Sequence, residues 1–190
     1  MGCGKSSVGR RLSQLLCCPF MDLDAEIEAR CGCAVADIFA RDGEAEFRRI
    51  EKETLKDILE TGGRVLEIPK TPSSSTPTCK NQEHPSDERP QMILALGGGA
   101  VMTPECEQMV HGQTKCIYLR TSVEELVARL TDESAGRPLL ASSDLKTRIE
   151  TLMSLRMETY ERTAHHIIST DSKTIDEVAS EITAALPARR

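Results

Sequence analysis

The chain has 190 residues, a formal net charge of -6, 28% charged residues and only 3% aromatic residues, with no Trp. That length suits a single domain with a substantial core, and the scarcity of rings makes that core aliphatic. The acidic balance argues against charge-driven binding of nucleic acid or anionic membrane. With no apolar run near the roughly 20 residues that span a bilayer and no signal-peptide core, the expectation is a cytoplasmic monomer with no membrane or nucleic-acid partner.

The first predicted element is a helix. "KSSVGRRLSQLL", Lys5 to Leu16, places Val8, Leu12, Leu15 and Leu16 on one face, so the glycine loop "MGCG" forms its N-terminus. Such an end suits an anion. Next, "CCPFMDLD" reads as a short buried parallel strand stopped by Asp22 and Asp24, and "DAEIEARCG" as a helix ending at Gly32. "AVADIFARDGEAEFRRIEKETLKDILETGG" gives one or two further helices closed by Gly62 and Gly63. Residues 68 to 90 hold five prolines among Ser, Thr and charged residues, and read as a disordered surface insertion without a catalytic role.

"QMILALGGGAV" has the pattern of a central strand entering a ligand-facing turn, because Gly97, Gly98 and Gly99 allow close backbone approach. "KCIYLR" is another short strand, followed by the helix "SVEELVARL" with Thr121 or Ser122 as its N-cap. A loop over 130–143, the long helix "DLKTRIETLMSLRMETYERTA", the strand "HHIIST" and the helix "TIDEVASEITAAL" complete the chain. Strands alternating with helices specify an α/β fold: a three-layer α/β/α sandwich around a mostly parallel sheet, with ligands at the carboxyl ends of the strands. The eight cysteines form no zinc or disulfide framework and are expected to be free, mostly buried thiols; adjacent His165 and His166 lack the i, i+4 spacing of a helical ligand pair.

"GKSS" is the second half of the phosphate-binding pattern G-x-x-x-x-G-K-[ST]. With Gly4 as its second glycine, the first glycine and the strand that carries the loop would lie upstream of Met1. The expectation is therefore a chain whose first strand is absent through truncation or a misassigned start, the alternative being a real start with poor ATP affinity. Read alone, "GKS" also fits a solvated terminus.

Taken in order, "GCGKSSVGR", "FMDLDAEIE", "IFARDGEAEFRRIE", "LALGGGAV", "RPLL" and "LRMETYERTA" resemble the shikimate kinase family of small P-loop phosphotransferases. The resemblance covers nearly the whole chain apart from 68–90. It implies a P-loop kinase fold with a mobile lid over 130–143. It also implies transfer of the γ-phosphoryl of Mg²⁺-ATP to the 3-hydroxyl of shikimate, on the route to chorismate. A gluconate-type small-metabolite kinase is the nearest enzyme alternative, and a catalytically silent relative the alternative of another class.

The resemblance also distributes roles. Gly2, Cys3, Gly4, Lys5, Ser6 and Ser7 would cradle the ATP phosphates; Ser6 would hold Mg²⁺, with Asp22 as a second acidic contact. Asp24 would orient the attacking hydroxyl and accept its proton, the alternative for both aspartates being helix N-capping. Arg48 and Arg156 would clamp the shikimate carboxylate through their planar forks, the alternative being surface ion pairs with Glu44, Glu51 or Glu158. Gly97, Gly98 and Gly99 would contact the substrate ring. Arg137 would close over the transferring phosphoryl, and Arg129 would lie near the adenine.

Overall fold

A computed structural model of the protein describes residues 2–62, 91–133 and 142–186. The element order is α1 (Lys5–Leu16), β1 (Phe20–Asp22), α2 (Leu23–Cys31), α3 (Val35–Thr61), β2 (Ile93–Ala95), a 3₁₀ turn (Ala100–Met102), α4 (Pro104–Gln113), β3 (Ile117–Arg120), α5 (Val123–Glu133), α6 (Ser142–Thr163), β4 (His166–Ser169) and α7 (Ile175–Ala185). Every strand pairing among the described residues is parallel: β1 with β2, Phe20 opposite Ile93, and β3 with β4, Ile117 opposite His166. Parallel strands need crossover connections, and helices supply them. The predicted 68–90 insertion and most of the 130–143 lid fall outside the described residues.

Helix α1 sits where both strand pairs meet. It packs on α7 and on β1 and β2, and its Val8 and Leu12 are buried with Ile168, Val178, Ala179 and Ile182, flanked by Ile93, Ile117 and Leu119. Gly9 makes the close approach possible, since a Cβ there would come within 2.5 Å of the Phe20 ring. A second cluster fills the space between α2, α3 and α4 with Leu23, Ile27, Ile38, Phe47, Leu55, Ile58, Val101 and Val110. Leu23, Ile27, Ile38 and Leu55 are fully buried, and each such aliphatic side chain contributes roughly 1.5–3 kcal/mol.

The long helix α3 is two helices. Gly43 adopts φ 81° and ψ 175°, a conformation glycine tolerates and other residues do not, so a new segment begins at Glu44 and aims Phe47, Arg48 and Glu51 inward. Helix α4 has no counterpart among the predicted elements. Its apolar stripe is only Cys106, Met109 and Val110, and its start is set by Pro104 at the first helical position after extended Thr103. The seven described cysteines are free, but the expectation that most are buried fails: only Cys106 is, and Cys17 is exposed. Cys17 caps α1 in a left-handed conformation at a solvent-facing helix end, while Cys31 and Cys33 flank the left-handed cap Gly32 of α2. Burial pushes the Cys106 and Cys116 thiols up to about 11.

The β3–β4 pair is joined to α4 through histidines. His165 stacks on His111 with centroids 4.7 Å apart, and its Nδ1 accepts the Cys116 N–H at 3.1 Å. Desolvation, then His111, Lys115 and His166, hold the His165 pKa below its usual 6.5. The folded state therefore binds this proton less tightly than the unfolded chain, and the stabilisation is complete above about pH 6.5 and lost as pH falls below it. The urea midpoint should drop between pH 7.5 and 5.5, and His165→Asn, which keeps an acceptor that does not titrate, should show a smaller drop. An equal drop in both proteins would contradict this role for His165.

Candidate active site

The Gly2–Ser7 loop enters α1 with Gly2 at φ 69° and Gly4 at φ 79°, left-handed turns that leave the free amides of the first helical turn facing outward. Together with Glu125, Arg129, Thr170, Lys173, Thr174, Ile175 and Val178 the loop lines a cavity of about 720 Å³. Arg129 is held on its wall: Nε donates to Glu125 at 3.0 Å and Nη2 to the Thr170 carbonyl at 3.0 Å. Lys173, Thr174 and Ile175, which also line the cavity, carry no motif that would have marked them in the sequence.

Ser6 joins this cavity to the end of β1. Its hydroxyl donates to Asp22 Oδ2 at 2.7 Å, while Oδ1 of the same carboxylate accepts the Asp24 N–H at 3.2 Å and caps α2. Asp22 thus performs the capping role and still presents an oxygen beside the Ser6 hydroxyl. Asp24 lies in the first turn of α2. Burial, then the Asp22 charge, raise its pKa, while Lys5 and Arg48 act in the opposite sense. Asp24 is therefore electrostatically coupled to the phosphate loop on one side and to α3 on the other.

Gly97, Gly98 and Gly99 draw the remaining groups together. A Cβ on Gly97 would lie 2.7 Å from Asp24 Oδ1 and 3.4 Å from Glu51 Oε1; on Gly98, 3.4 Å from Arg156 Nη1; on Gly99, 2.6 Å from Arg48 Nη1. The three glycines are thus interleaved with two carboxylates and two guanidinium groups. Arg156 Nη1 also donates to the Gly98 carbonyl at 3.2 Å. The structure brings Lys5, Asp22, Asp24, Arg48, the three glycines and Arg156 to the carboxyl end of β1 and β2; Arg137 lies outside the described residues.

One member of the site was not singled out by its sequence context. Glu51 is 1% exposed and accepts from Arg48 Nη1 at 2.6 Å, one turn away on α3. Burial raises its pKa against the pull of Arg48. Arg48 therefore does pair with Glu51, and also with Glu44 at 3.3 Å, but the Glu51 pair is buried and not the expected surface pair, and it fixes the guanidinium against Gly99 instead of drawing it away. Arg49, on the exposed side of the helix, pairs with Glu46 and Glu53.

A parallel α/β fold with a glycine loop that opens a helix and lines a cavity, and an acidic strand end hydrogen-bonded to that loop through Ser6, is that of a nucleotide-dependent phosphotransferase of the P-loop kinase class. The sequence profile of the family described as shikimate kinase matches residues 1–69 and 82–187, and the chain belongs to that family. It is 37% identical to the shikimate kinase of Bordetella pertussis over 188 residues, covering 99% of this chain and 75% of that one. It is 34% identical to that of Thermus thermophilus over 182 residues, covering 96% and 83%. Shikimate kinase from Acinetobacter baumannii in complex with shikimate superimposes with a TM-score of 0.73 at 28% identity, over 97% of this chain and 87% of that one.

Glu51→Leu removes a buried charge yet leaves Arg48 without its main partner. It should lower unfolding free energy by about 2 kcal/mol, below the usual range for breaking a buried pair because Arg48 keeps some solvent contact. Glu51→Gln, which still accepts from Arg48, should lose less. Chemical denaturation measures both; a Leu variant as stable as the parent would contradict the pairing.

Proposed function

We propose that the protein, as a cytoplasmic monomer, transfers the γ-phosphoryl of ATP to the 3-hydroxyl of shikimate, giving shikimate 3-phosphate and ADP. The observation that carries this reading is the interleaving of Gly97, Gly98 and Gly99 with Asp24, Arg156 and Arg48 next to the Lys5 loop. Two guanidinium forks suit a substrate carboxylate, and a carboxylate between them and the loop suits a hydroxyl that must be aimed at a phosphate. A carboxylate also distinguishes shikimate from neutral sugar acceptors.

In this reading the backbone amides of Gly2–Ser7 and the α1 dipole bind the phosphate chain, and Lys5 neutralises charge at the β- and γ-phosphates. Ser6 and Asp22 are hard oxygen donors already within 2.7 Å of each other, a pair that fits Mg²⁺. When bound there, the ion supplies charge neutralisation on the phosphate oxygens. Arg129 borders the nucleotide and Arg48 and Arg156 hold the carboxylate. Asp24 accepts the hydroxyl proton as the oxygen–phosphorus bond forms and ADP leaves; burial and the Asp22 charge raise its pKa and make it a stronger base than a free carboxylate, while Lys5 and Arg48 act in the opposite sense. Arg137 we assign, from the family resemblance, to the transferring phosphoryl.

The test is ADP release with Mg²⁺-ATP in the presence and absence of shikimate. Turnover should require shikimate, and Asp24→Asn should reduce kcat by about 10²- to 10⁴-fold while shikimate still binds. ADP release indifferent to shikimate, or an Asn variant of parental activity, would contradict the assignment. The glycines give a second test. Gly97→Ala and Gly99→Ala force Asp24 or Arg48 to move and should each lower kcat/KM for shikimate at least about tenfold. Gly98→Ala, whose nearest neighbours stay at ordinary contact distance, should lose less than either; equal losses at all three positions would count against the interleaving.

A further inference from the structure

Arg156 and Tyr160 stand one turn apart on α6 and project to the same side. Both donate to a single acceptor, the carbonyl oxygen of Gly98: Arg156 Nη1 at 3.2 Å and the Tyr160 hydroxyl in a still closer contact. A carbonyl oxygen has two lone pairs, so the two donors saturate it. The Tyr160 ring is fixed from the far side, its centroid 5.2 Å from that of Tyr118 on β3 and tilted by 48°, and it packs against the main core cluster. Tyr160 therefore ties the three-glycine stretch to α6 without help from Arg156.

The arrangement bears on how Arg156 is used. A guanidinium that swings its fork onto a substrate carboxylate loosens its hold on the Gly98 carbonyl. A part-buried carbonyl stripped of its donor opposes that turn. With Tyr160 in place, the carbonyl keeps a partner when Arg156 leaves. Resting on the shikimate reading above, we propose that Tyr160 is a positioning residue: its hydroxyl holds the Gly98 carbonyl, which releases Arg156 to the substrate carboxylate. No family motif or comparison named above assigns Tyr160 a role.

Tyr160→Phe keeps the ring and its contact with Tyr118 and removes only the hydroxyl. Calorimetry should show shikimate affinity weakened about fivefold or more, the effect of one hydrogen bond. KM for shikimate should rise with it, while kcat, KM for ATP and the thermal midpoint stay close to the parent's. In an Arg156→Ala background the same change should have a much smaller effect on shikimate affinity, because there is no guanidinium left to release. Unchanged shikimate affinity in Tyr160→Phe overturns the proposal. So does a parallel shift of both KM values and the thermal midpoint, which marks a packing role, or a full-sized effect without Arg156. A parent protein that fails to bind shikimate overturns the functional reading itself, and is told apart because the parent is titrated alongside.

Discussion

A buried carboxylate must find a cation or take up a proton, and Glu51 is buried with the Arg48 guanidinium 2.6 Å away. Much of the site follows from that constraint. Glu51 is placed by the second half of α3, whose apolar face carries Phe47, Thr54, Leu55 and Ile58 inward and whose start is set by the Gly43 kink. Arg48, one turn earlier, is thereby pinned with its fork toward Gly99. An arginine preorganised in this way gives up little rotamer freedom when it takes up a carboxylate.

The glycine stretch after β2 is the complement of that pair. Its missing side chains are the volume that Asp24, Arg48 and Arg156 occupy, so strand β2, helices α2 and α3, and helix α6 converge on three consecutive residues. The phosphate side is attached through a different and smaller link, the Ser6 hydroxyl on Asp22, whose other oxygen caps α2 immediately before Asp24. One aspartate thus carries the geometry of the loop to the residue proposed as base. The two hydrophobic clusters have the same division of labour: Val8 and Leu12 seat the loop helix on α7, while Leu23, Ile27 and Leu55 seat α2 on α3.

Much of this was readable in the residues. Lys5, Ser6 and Gly97–Gly99 stand out by residue type at a helix start and after a strand, whereas Asp22, Asp24, Arg48 and Arg156 take their roles from the resemblance to the shikimate kinase family; the helix periods place most elements to within a few residues. Other features depend on through-space contacts that sequence does not encode locally. Glu51 looks like one more acid on a charged helix until its burial against Arg48 is seen. Tyr160 looks like core. Lys173 and Thr174 reach the cavity only because β4 returns beside α1. Helix α4 carries little periodic signal because three apolar residues make too short a stripe, and the cysteines lie nearer solvent than their residue type suggests because helix caps at Cys17 and Gly32 hold them there.

The measurement that bears most directly on this picture is a crystal structure of the protein soaked with shikimate. It should place the carboxylate between the Arg48 and Arg156 forks and a ring hydroxyl within hydrogen-bonding reach of Asp24, roughly 2.6–3.2 Å, facing the Lys5 loop. Shikimate seated with its carboxylate on the Lys5 loop, or bound away from Gly97–Gly99, would contradict it.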